Sequence, residues 1–236
     1  MSWDLNELRD LVLKAHGKKT YVELFQSSNS IVERLEFAGF HYREAKDIFD
    51  QFDWHEGISD TELFHNVIFG GKEGSEELDE KKIKARAHIV AFIQSLHSIS
   101  DILGHVIYYS LGMNNAKRER DINLSEVKKW LSNNSNYFTL INLLKEFLDN
   151  DSYLYLSALV NKSKHRSILS AGLSVNLLET GRNRKEVVFP QFTFNNRTYD
   201  KRQALLFIES EYYRQIGLVI KIGNEINRLV RKSANK

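Results

Sequence analysis

Apolar residues recur every three or four positions through most of this chain, a spacing that predicts one amphipathic helix after another. The pattern predicts helices near 3–15, 20–38, 41–53, 60–68, 77–112, 124–133, 136–149, 151–166 and 200–232. The segment 77–112 stands out by its length, about 50 Å at the helical rise, and is the expected spine of the fold. Gly70-Gly71-Lys72-Glu73-Gly74 reads as the loop before it, Ser75 with Glu76 and Glu77 as its cap and acidic first turn, and Gly112 as its end.

Between 168 and 199 the period shortens to two. Leu173-Ser174-Val175-Asn176-Leu177 alternates, as do Val188, Phe192-Thr193-Phe194 and Tyr199 around Asn195-Asn196. This predicts a small β-hairpin or two short strands. The expected fold is therefore mainly all-α: a helical bundle with one long central helix and a β-hairpin insertion, around 170–199, before the C-terminal helix. Residues 1–72 are expected to form an acidic helical region packed on a bundle made by 73–236.

Composition narrows the chemistry. The 236 residues contain no cysteine, which removes disulfides, thiolate nucleophiles and cysteine-based zinc sites. No basic start followed by an apolar run suggests a signal peptide, and no stretch of about 18 uncharged apolar residues suggests a membrane span. The expectation is a cytoplasmic protein with no membrane partner. No Gly-x-Gly-x-x-Gly, Walker or nucleophile-elbow pattern follows a predicted strand, so no cofactor is expected. The net charge of +2 hides a split. Residues 1–80 hold 8 Lys and Arg against 18 Asp and Glu, whereas 81–236 hold 25 against 13. The stretch 158–202 has nine basic and three acidic residues. Such a split fits a basic surface for nucleic acid or phosphate, and equally an acidic part docked on a basic part of the same molecule.

Two polar clusters interrupt apolar helices. In the long helix, Gln94, His97, Asp101 and His105 form a narrow stripe opposite Phe92, Leu96, Ile99, Leu103 and Val106. Asp101 is the only charged residue from Ala87 to Ala116. His97, Asp101 and His105 are successive i, i+4 neighbours whose side chains can meet. The stripe reads as a solvent face, as a satisfied network that fixes two imidazole tautomers, or as part of a ligand, reaction or metal site. No second helix offers the Glu-x-x-His pair of bundle-type metal sites, so no metal is expected. In helix 151–166, Ser157, Asn161, Lys164 and His165 share one face and Arg166 adds a second cation. A hydroxyl, an amide, cations and an imidazole suit a phosphodiester: the cations stabilise negative charge and the imidazole moves a proton. A basic helix end favourable to the macrodipole is the plainer reading.

The register Val160-Asn161-Lys162-Ser163-Lys164-His165 resembles the motif of the HEPN superfamily: Arg, a polar residue, three variable residues, then His. Asn161 and His165 match, whereas Val160 stands where the family has Arg. The resemblance covers about residues 77–166. It implies a helical-bundle protein directed at RNA or a nucleotide. Such a protein is either a metal-independent endoribonuclease, in which the RNA 2′-hydroxyl attacks, or a degenerate, non-catalytic relative. In the catalytic form His165 would be the general acid/base, with Lys164 and Arg166 at the phosphate and Asn161 orienting. Gln94, His97, Asp101, His105 and Ser157 would line the binding face. The family's habit of pairing two motifs across one cleft implies a homodimer. The alternative is a helical interaction or scaffold module, an accessory of a defence or toxin–antitoxin system.

Overall fold

A computed structural model describes residues 2–50, 75–113, 121–167, 169, 171–175 and 185–234. The protein is mainly helical, with six helices and a few short strands before the last helix among the described residues. α1 runs Leu5–Asp50, α2 Ser75–Ser110, α3 Leu124–Leu131, α4 Phe138–Leu148, α5 Asp151–His165 and α6 Ala204–Ala234. A 3-10 turn, Ser135–Tyr137, leads into α4. The predicted helix 60–68 and the loop 70–74 lie outside the described residues.

α2 is the hub. Ile89, Phe92, Ile93, Leu96, Ile99 and Leu103 are fully buried, as their spacing predicts. α1, α3, α5 and α6 all pack on this helix. Over 80–110 it is long and apolar enough to cross a membrane by length and composition, yet most of it is buried within the protein. It ends where the sequence places its stop. Gly112 sits at φ 65°, its N–H bonds to Tyr109 O at 3.2 Å, and Met113 N–H bonds back to Tyr108 O at 3.0 Å. That is the paired closure of a Schellman end, which needs a left-handed residue at this position.

α1 departs from the predicted three helices. The break between 38 and 41 is absent, because Ala38 and Gly39 are buried and the backbone has no reason to leave the helix. The break after residue 15 is present at Gly17, whose φ of 80° and ψ of 177° lie in a region almost reserved for glycine. The chain reverses there. Arg9 donates to Ser28 Oγ at 3.1 and 2.8 Å and to Asn29 Oδ1 at 2.6 Å, although a straight helix would hold residues 9 and 28 about 28 Å apart. α1 is thus two arms, 5–16 and 18–50, folded against each other and packed on α2 and α6.

The hairpin turn lies where the sequence places it. β3 (Phe192–Phe194) pairs antiparallel with β4 (Arg197–Tyr199). Asn195 and Asn196 between them both have positive φ, 48° and 62°, as a two-residue I′ connection requires. The alternation from Leu173 and at Val188 belongs to a further sheet. β1 (Gly172–Val175), β2 (Lys185–Phe189) and β5 (Arg202–Gln203) make a second, three-stranded antiparallel sheet in the order β1-β2-β5. The two-residue β5 is too short to show alternation.

The sheets are fastened to the helices by aromatic packing. Tyr155 of α5 lies 4.9 Å from the Phe207 ring of α6 and 5.4 Å from Phe192 of β3, both edge-on. Arg202 covers Tyr155 at 4.2 Å, and with Arg197 it binds Asp151 at the start of α5. These two guanidiniums hold the Asp151 carboxyl below its ordinary range.

Candidate functional site

The site is built by the meeting of α2 and α5. Asn150 caps α5 by accepting from Ser152 N–H at 2.9 Å, and Tyr155, Leu156, Leu159 and Val160 then turn inward. The remaining edge carries Ser157 and Asn161, both half-buried, with Lys164 and His165 exposed beyond them. On α2 the stripe is not uniform. Gln94 and Asp101 are exposed and His105 is half-buried, but His97 is only 9% exposed. The solvent-face reading therefore fails at His97, because α5 lies over it.

The two clusters join at Ser157. His97 Nε2 is 3.3 Å from Ser157 Oγ, which accepts from Asn161 Nδ2 at 3.2 Å. Having accepted from Asn161, the hydroxyl has one proton to give, and a neutral imidazole nitrogen stands in reach of it. Burial keeps the His97 ring neutral: desolvation pushes its pKa below the ordinary value and Lys164 adds to this, against the opposing pull of Asp101. The ring lies parallel to Tyr153 with centroids 6.1 Å apart. Tyr153 in turn donates to Ser100 Oγ at 2.9 Å, and burial pushes its phenol up to about 12, so it remains a donor. A neutral, hydrogen-bonded floor of His97, Ser157 and Asn161 thus lies beneath an exposed rim of Asp101, Lys164 and His165. Neither Asp101 nor Lys164 has an ion-pair partner among the described residues.

Other sequence candidates lie apart from this floor. Arg166 turns to the hairpin, over the Phe194 ring at 5.2 Å and 3.5 Å from Asn195 Oδ1. His105 sits beside Tyr109, ring centroids 6.1 Å apart. Among the described residues no three His, Asp or Glu side chains come together as metal ligands. Val160, at the position of the motif Arg, has no exposed surface and belongs to the core.

Sequence reasoning missed the Tyr153–Ser100 pair behind His97 and the hairpin tethers. Lys162 donates to Thr193 O at 3.2 Å, and Arg197 and Arg202 are tied to Asp151. Much of the basic 158–202 stretch is therefore spent on holding the sheets to α5. No single-chain signal ties a lysine to a particular backbone oxygen thirty residues away.

Comparison of the chain with protein-family models, with curated proteins and with solved structures yields no match.

Proposed function

We propose that the protein is an RNA- or nucleotide-directed helical protein of HEPN-like type, and that the α2–α5 face is where it meets the phosphate. The observation that carries this reading is the convergence of both polar clusters on Ser157. Two segments 60 residues apart place an imidazole, a hydroxyl and an amide in one hydrogen-bonded line, with a cation and a second imidazole at its open end. Lys164 supplies charge to a phosphate oxygen, and Asn161 is available as a neutral donor. The open rim suits an extended single strand, whose affinity comes first from phosphate contacts. In a catalytic form, His165 takes the proton from the RNA 2′-hydroxyl or returns one to the leaving 5′-oxygen, while Lys164 stabilises the charge that develops on the phosphate. His97 is a positioning residue here, since its ring is neutral, covered and engaged with Ser157.

A second reading is favoured by a separate observation. Val160 is in the core and Arg166 is tethered to the hairpin, so neither supplies the arginine of the family motif. This supports a non-catalytic binding or scaffold module that keeps the face and lacks the chemistry. One experiment separates the two: fluorescence anisotropy with a labelled single-stranded RNA, alongside an RNA turnover assay. Binding that falls in Lys164→Glu, with turnover lost in His165→Ala, supports the enzyme. Binding that falls in Lys164→Glu, with no turnover in the wild type, supports the binding module. Absence of binding, or binding indifferent to Lys164→Glu, removes the RNA-directed reading.

A further inference from the structure

Outside the α2–α5 face, the most distinctive surface is the outer side of α1. Of twelve large apolar side chains left exposed among the described residues, six belong to this helix: Leu13, Val22, Phe25, Val32, Phe37 and Phe40. On the second arm, Val22, Phe25, Asn29, Val32, Glu36, Phe40 and Arg43 follow one another at steps of three or four, so they form a single row. Large apolar side chains gathered on one helix exterior mark an interaction surface, and here Val22, Phe25, Val32 and Phe40 are gathered around Asn29 and Glu36. Lys18 begins the row and Asp47 ends it; both are exposed, and neither has an ion-pair partner among the described residues.

The geometry points to a self-docking surface: we propose that a second copy of this chain packs antiparallel on the row, with its two-fold axis beside Val32. Such an axis, between positions 32 and 33, sets Lys18 opposite Asp47, Phe25 opposite Phe40, Asn29 opposite Glu36 and Val22 against the aliphatic stem of Arg43, each pair occurring twice. Asn29 already gives its carbonyl oxygen to Arg9, at 2.6 Å, which leaves its amide hydrogens for a carboxylate. A polar residue within an apolar helical row also penalises shifted registers. A parallel pair would instead stack Lys18 on Lys18, Glu36 on Glu36 and Asp47 on Asp47, which like-charge repulsion disfavours. Reversed, the row pairs Lys18 with Asp47 and Phe25 with Phe40 and stacks no like charges, and this commits it to a second copy rather than to an unrelated helix. The proposal is independent of the RNA-directed reading. α1 packs on α2 and α6, and α5 takes no part in the pairing, so it also differs from pairing across two motif helices.

The absence of cysteine makes the test clean. Val32→Cys, next to the axis, cross-links to itself on mild oxidation. Phe25→Cys and Phe40→Cys do not self-link alone, but they link to each other when mixed. In sedimentation equilibrium the wild type is a dimer at tens of micromolar, Lys18→Glu weakens it about tenfold, and adding Asp47→Lys restores it. All these positions are on the exposed side of the helix, and far-UV circular dichroism shows whether each variant is folded. A monomeric wild type overturns the proposal. So does self-linking of Phe25→Cys as strong as that of the mixture, which would mean parallel packing.

Discussion

Placing an arginine at Val160, the position where the HEPN motif that this register resembles has one, is expected to unfold the protein rather than to create a better site. Val160 is fully buried between Leu159 and Asn161 on α5, where the helix packs on α2, α4 and α6. The substitution gives up the burial of one aliphatic side chain, about 1.5–3 kcal/mol. It also places a guanidinium in the fully buried Val160 position, and an uncompensated buried charge costs about 3–5 kcal/mol. The sum, roughly 5–8 kcal/mol, is comparable with the whole stability of an ordinary domain. Val160→Ala is the size control, with a loss of about 1–3 kcal/mol and retained cooperativity. Urea denaturation followed by far-UV circular dichroism measures both. A Val160→Arg protein that unfolds at the wild-type midpoint refutes the reasoning, since the side chain would then have found water or a partner. If that protein also gains RNA turnover, the proposed catalytic reading is favoured over the non-catalytic one.

Three further outcomes follow from the same geometry. His97 resists protonation when folded, and an unfolded histidine titrates near 6.5. The stability it confers is complete above about pH 6.5 and is lost as pH falls toward its folded pKa; His41, also shifted down by burial, adds a slope of the same sign, and His97→Gln should flatten the pH dependence of the urea midpoint. Gly17→Ala forces an L side chain into a glycine-only conformation, and should cost about 1–3 kcal/mol in the same assay. A Cβ at Gly223 would stand 2.1 Å from the Trp3 ring, so Gly223→Ala should expel the indole from its bond to Asn227, seen as a red shift in tryptophan fluorescence.

Much of the fold was legible because burial and period agree. The α2 core face, the Gly112 stop and the Asn195-Asn196 turn each rest on local chemistry that a sequence displays directly. The folding back of α1 was half legible: Gly17 marks a break, but nothing local says that Arg9 will reach Ser28. The second sheet was partly legible, since the alternation from Leu173 and at Val188 marks β1 and β2, whereas β5 contributes only two residues and has no pattern of its own. At the site, residue types and helix faces were readable and depth was not. His97 shares its stripe with exposed Gln94 and Asp101, and only the crossing of α5 over α2 separates a covered imidazole from its solvated neighbours. Arg166 shows the reverse problem. Its charge and position fit a phosphate, but the tip of a hairpin nearly thirty residues away holds it.

The most direct test of the account is histidine-ring NMR during titration with a short single-stranded RNA. The account predicts saturable shifts at His165, with a smaller response at His97 through Ser157, and none at His41 and His88, which bond to each other between α1 and α2. Unmoved His165 and His97 resonances at saturating RNA, or shifts confined to His41 and His88, would contradict the assignment of the α2–α5 face.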